Sequence, residues 1–127
     1  MPAIQPDAPA LLDAAIDYLE RELLPTLAGY HRFQCRVTVN VLAQVRRELA
    51  LAPGQADAER ARLIALLGHP GERDALSREL AARIRAGDLA LDDPALLDHL
   101  RQSLVEALRI NNPKWLGEPE PVEPERG

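Results

Sequence analysis

Aromatic residues are nearly missing from this chain: one Trp, one Phe and two Tyr stand among 127 residues. A sheet core, which favours aromatic and β-branched side chains, is poorly supplied by that inventory. There is one cysteine, Cys35, so no internal disulfide can form, and a single thiol fits a reducing, cytoplasmic address. No apolar run approaches the roughly 18–20 residues needed to cross a bilayer, and no basic-then-apolar leader opens the chain. Lysine is reduced to Lys114 alone. A basic field is missing too. The net charge is −5, and residues 118–127 hold four Glu against one Arg, leaving the body close to neutral. Attraction to nucleic acid is therefore not expected.

What remains is abundant Leu, Ala and Arg, residues of high helix propensity. The pattern predicts an all-α fold, a compact bundle of about five amphipathic helices over residues 9–116. Residues 1–8 read as a flexible arm and 117–127 as a disordered, acidic, Pro-rich tail. Asp7 and Pro9 open the first helix, whose apolar face is Leu12, Ala15, Ile16, Leu19 and Leu23 until Pro25 stops it. A second helix is expected from Tyr30 to Leu51 along Phe33, Val37, Val41, Val45 and Leu49, widened by Val39 and Leu42. Pro53-Gly54 is read as a break. A third helix then runs from Asp57 to Leu67 on Ala61, Leu63, Ile64 and Leu67. The turn Gly68-His69-Pro70-Gly71 leads into a fourth, Glu72 to Ala86, built on Leu76, Leu80 and Ile84 and stopped by Gly87. Asp92 or Asp93 with Pro94 opens a fifth, whose seam is read as Leu97, Leu100, Leu104 and Leu108. Asn111-Asn112-Pro113 closes it.

Sites for chemistry are few. His31 and Cys35 share a helix face, but a structural zinc ion takes four ligands and the other histidines lie in separate segments. No metal site and no cofactor is expected. Ser77, Ser103, Thr26 and Thr38 have no evident base, and nothing suggests an oxyanion hole. The Gly68–Gly71 loop lacks the Lys and Ser/Thr of a phosphate loop. No catalytic residue is assigned, and an enzyme acting alone is not expected. Two clusters need an account. Arg36, Asn40 and the Arg46-Arg47 pair flank the Phe33 stripe, where a polar Asn either bonds a neighbouring helix or meets a partner or an anionic ligand. Asn112 and Trp115 stand at the close of the last helix, where a lone Trp either folds back on the bundle or anchors a partner. Phe33, Arg36, Asn40, Arg47, Asn112 and Trp115 are the candidate partner- or ligand-binding residues.

Several phrases together resemble one bacterial family of small domains of unknown function, DUF6285, over residues 9–116. They are Tyr18-Leu19-Glu20-Arg21-Glu22-Leu23-Leu24-Pro25, Phe33 to Leu42, Val45-Arg46-Arg47-Glu48-Leu49, Glu59 to Leu63, Glu79 to Gly87 and Ile110-Asn111-Asn112-Pro113-Lys114-Trp115. The resemblance extends to the small partner subunit of a two-component kinase that phosphorylates hydroxyacyl-CoA thioesters in the catabolism of short keto acids such as levulinate. It implies a non-catalytic accessory subunit binding an aminoglycoside-phosphotransferase-like kinase, with acyl-CoA at a shared site. That accords with the absence here of a recognisable phosphate loop, catalytic Asp–Asn pair or Mg²⁺ ligand set. The alternative is a free-standing helical ligand-binding or homodimeric module. Neither reading involves nucleic acid or a membrane.

Overall fold

Asp7 and Asp93 act as the sequence leads one to expect. In the computed structural model, which describes residues 6–117, the Asp7 carboxylate accepts from the Ala10 amide at 3.0 Å and starts helix α1, Ala8–Asp17. The Asp93 carboxylate accepts from the amides of Ala95 and Leu96 at 2.8 and 3.4 Å and starts α4, Pro94–Asn111, with Pro94 in the first turn. Between them lie α2, Gly29–Leu67, and α3, Arg73–Ala86. No strand occurs among the described residues. The described residues are all-α, with four α-helices rather than about five. The N-terminal arm (but for its last residues) and the acidic tail beyond Gly117 lie outside the described residues.

The difference in number comes from Pro53. The expected second and third helices are one continuous helix that carries Pro53 in its interior. Proline removes one i→i−4 bond, here to the Leu49 carbonyl, and its ring crowds that carbonyl. Pro53, Gly54 and Leu49 are all exposed, so water can take the released carbonyl and the helix continues. The chain divides into two compact units, Met1–Leu51 and Ala52–Gly127, whose boundary lies two residues before this proline.

The first unit is a helical hairpin. After α1 the backbone widens into a π-helical stretch, Tyr18–Leu23, then tightens into a 3-10 turn, Leu24–Thr26, which carries Pro25. An adjacent π and 3-10 segment lets the chain turn where proline cannot donate to Arg21. The Leu24 carbonyl is satisfied by the Leu27 amide and the Arg32 guanidinium, both at 3.1 Å. The α1 and α2 segments are joined by Arg46 on Asp13 at 3.1 Å and by the Cys35 thiol donating to the Leu19 carbonyl at 3.7 Å. Among the described residues of this unit, only Leu24, Cys35 and Val39 are buried.

This reverses the expected face of α2. Phe33, Val37, Val41, Val45 and Leu49 are all exposed. Steps of four residues advance 40° on a helix with 3.6 residues per turn, so that series winds around it. The series Cys35, Val39, Leu42, Arg46 keeps to the side facing α1.

The second unit holds the principal core. Leu63 and Leu67 of α2, Leu76 and Leu80 of α3, and Leu96 of α4 form one buried cluster, with Ile64, Leu66, Ile84 and Leu89 packed against it. Gly87 ends α3 at φ +78°, where the Asp88 amide reaches back to the Arg83 carbonyl at 3.0 Å. Gly71 has a different reason to be glycine. A Cβ there would stand 3.0 Å from the buried Leu76 side chain. The α4 face is also corrected. The expected seam leaves Leu97, Leu100 and Leu104 exposed, with Leu108 half-buried, whereas Leu96 and His99 are buried.

Candidate functional site

Four of the six candidate residues lie on the first half of α2. Phe33, Arg36 and Asn40 are exposed on successive turns, and Arg47 is half-buried two turns further on. Water solvates Asn40, so it needs no buried partner and leaves no unexplained polar group in a core. The other two are in the second unit. Asn112 caps α4, and its carbonyl accepts from the Trp115 amide at 3.2 Å in the 3-10 turn Pro113–Leu116. Trp115 does not fold into a core; it is 76 % exposed. His31 sits edge-on to the Tyr30 ring at 5.4 Å, while Cys35 is buried with its thiol on Leu19. No group of three or more His, Cys, Asp or Glu side chains is placed to hold a metal ion among the described residues.

The most developed polar constellation escaped sequence reasoning. Arg62, on α2, donates from Nε to His99 Nδ1 at 3.1 Å, from Nη1 to Gln102 at 3.4 Å and from Nη2 to Ser103 at 3.4 Å. Its Nη2 also forms an ion pair with Glu106, both side chains being 15 % exposed. All four partners lie on α4, at the i, i+3, i+4 and i+7 spacing that one helix face provides. Burial pushes the His99 imidazole below its usual range, and the Arg62 guanidinium pushes it the same way. The two facts agree: a ring nitrogen that accepts from arginine carries no proton. Beside this network, Gln55 donates to the Glu106 carbonyl at 2.9 Å. The signal was present in the sequence. Stepping from Leu96 by three and four reaches His99, Ser103 and Glu106, a polar seam that a search for apolar periodicity passes over.

A shallow cleft of about 200 Å³ opens next to these groups, lined by Gln55, Glu59, Arg73, Ser103 and Glu106 with small alanines. It falls below the roughly 300–1,000 Å³ of small-molecule pockets. Its charges are matched internally, Glu106 by Arg62 and Glu59 by Arg73 at 3.8 Å. Such an arrangement ties α2, α3 and α4 together. The Gly68–Gly71 turn is likewise a tied connection. His69 donates to the Pro70 carbonyl at 2.9 Å and pairs with Glu79 at 2.7 Å, and these two contacts, the carbonyl first, raise its pKa. Arg60 donates to the Gly71 carbonyl at 2.8 Å.

The remaining feature is apolar and outward. Leu97 is 50 %, Leu100 43 % and Leu104 67 % exposed, at the i, i+3, i+7 spacing of one helix face. No helix among the described residues is long and apolar enough to cross a membrane, so these leucines do not belong to a spanning segment.

No curated protein matches the chain. No solved structure matches it. The family model described as "Domain of unknown function (DUF6285)" matches residues 25–115, from the 3-10 turn after α1 to Trp115. The chain belongs to the DUF6285 family.

Proposed function

We propose that the chain is a non-catalytic accessory subunit that binds and supports an aminoglycoside-phosphotransferase-like kinase acting on hydroxyacyl-CoA. The observation that carries the docking part of this reading is the outward leucine face of α4, Leu97, Leu100 and Leu104, with the exposed Trp115 in the turn that follows. Aromatic anchors and apolar centres are what protein interfaces bury. The internally paired cleft, too small for an acyl-CoA, supports assigning the chemistry to the partner. The identity of that partner rests on the family resemblance of the phrases ending in Asn112-Pro113-Lys114-Trp115. Arg36, Asn40 and Arg47 are secondary candidates for contacts to the same partner or its acyl-CoA.

Co-expression with an aminoglycoside-phosphotransferase-like kinase from the same genome tests the reading. The two chains co-elute, and the kinase loses most of its turnover of hydroxyacyl-CoA when the small chain is withheld. Leu100→Glu with Leu104→Glu, both at exposed positions, abolishes co-elution without loss of helicity. A kinase that is fully active alone and forms no complex refutes it.

A further inference from the structure

We propose that the hairpin of the first unit pairs with a second copy of this chain, apolar face to apolar face, to form a four-helix dimer. The inference concerns the first unit alone and does not rest on the kinase reading.

The two broad faces of the hairpin differ sharply. The Asp13–Arg46 and Leu19–Cys35 bonds fix which turns of α1 and α2 lie side by side. With 100° per residue in the α-helices, one broad face collects Asp13 from α1 with Arg36 and Arg47 from α2. The other collects Leu11 and Ala15 from α1 and Tyr18 from the start of the π-helical stretch with Val41 and Val45 from α2, Val37 and Glu48 towards its edge, Leu49 at its end, and the uncharged Gln34 and Thr38 on the same strip. A charged face is content in water. The apolar one is not: Leu11 is 59 %, Tyr18 53 %, Val41 54 % and Val45 40 % exposed.

Area argues for a second copy. Together with Val37 and Leu49, those side chains leave on the order of 500 Å² of apolar surface in solvent, taking typical areas for such residues. A stable dimer buries about 800 Å² per partner, of which roughly 65 % is apolar in homodimers. The hairpin thus exposes on one face close to the apolar area that a homodimer interface requires. It also needs such a partner. A two-helix layer in which only Leu24, Cys35 and Val39 are buried among the described residues has half a core, and an equal layer related by a two-fold axis supplies the other half.

Sedimentation velocity of the full chain over a range of concentrations gives the test. The expected species has twice the 14.0 kDa chain mass. Val41→Glu with Val45→Glu, judged folded by unchanged far-UV circular dichroism, weakens self-association by at least about tenfold, since each carboxylate would enter an apolar interface. Leu100→Glu in the second unit leaves it intact. A native chain that stays monomeric at all concentrations overturns the proposal, even if that monomer binds the kinase. So does a dimer that survives both glutamates, or one that Leu100→Glu abolishes.

Discussion

Replacing Arg62 by alanine probes the polar tie between α2 and α4 more directly than any other single change. The guanidinium contacts His99, Gln102, Ser103 and Glu106, and alanine removes every one of these donors at once. Glu106 is left with a charge in surroundings that expose 15 % of its side chain. Breaking a buried pair from one side costs about 3–5 kcal/mol, and the residual exposure of both partners places this case at about 3 kcal/mol. For a chain of this size that lowers the melting midpoint by about 10 °C. The companion variant Arg62→Met with Glu106→Leu removes both charges and keeps most of the volume. Its stability falls within about 1 kcal/mol of the native chain, because no charge is left stranded. Thermal and guanidinium melts followed by far-UV circular dichroism, run on Arg62→Met alone, Glu106→Leu alone and the double, yield a coupling energy of at least about 1.5 kcal/mol. An Arg62→Ala melt within about 2 °C of native, or a coupling near zero, refutes the claim that this network is buried and cooperative.

Three further outcomes follow from the geometry. His99 is held below its usual pKa of 6.5 in the fold, so the unfolded chain binds the proton first as pH drops. Stability contributed there is complete above about pH 6.5 and declines as pH falls through that value; because the raised pKa of His69 acts in the opposite sense over the same range, the loss is read as the difference between melts of the native chain and of His99→Gln at pH 7.5 and 5.5. Gly54 lies inside α2 with nothing within 4 Å of an added Cβ, so Gly54→Ala stabilises by about 0.5–1 kcal/mol and Pro53→Ala by more, whereas a fall in melting temperature would show that the helix needs its weak point. Gly71→Ala does the reverse, forcing a methyl to 3.0 Å from Leu76 and destabilising by about 1–2 kcal/mol in a denaturant titration.

Local chemistry was legible in the sequence. Asp7, Asp93-Pro94 and Gly87 start or stop helices through bonds to residues within four positions, and all three act as expected. Leu63, Leu67, Leu76 and Leu80 were likewise readable as core because each sits on a helix with one dominant apolar side. Pro53 was not readable. Whether proline ends a helix or is absorbed depends on whether water can reach the released carbonyl, which is a property of exposure and not of the dipeptide. The face of α2 was missed because five apolar residues spaced by four are a conspicuous pattern, yet they wind away from the side that meets α1. Arg62 was missed for another reason. An arginine flanked by Ala61 and Leu63 carries no mark of burial until the partners on α4 are in place.

The two misread faces share a cause that bears on what the protein does. On α4 the inward side carries His99, Ser103 and Glu106, and the outward side carries Leu97, Leu100 and Leu104. Counting apolar residues therefore chooses the wrong side. A chain folding only for its own stability would place those leucines inside, where each contributes about 1.5–3 kcal/mol, and would leave the charges in water. The first unit repeats the pattern with Val41, Val45, Leu11 and Tyr18 outward. Single exposed apolar residues are ordinary, but runs at helical spacing on two elements are not. The polar seam holds α4 in one orientation through matched hydrogen bonds, and that orientation keeps the leucines turned to solvent. Under the proposed associations, the burial they lack inside the chain is recovered when a partner covers them. An isolated chain should accordingly be less stable than its complexes, with a melting temperature that rises with the concentration of whatever covers these faces. A midpoint independent of the chain's own concentration would remove the second copy from that account, and one independent of added kinase would remove the kinase.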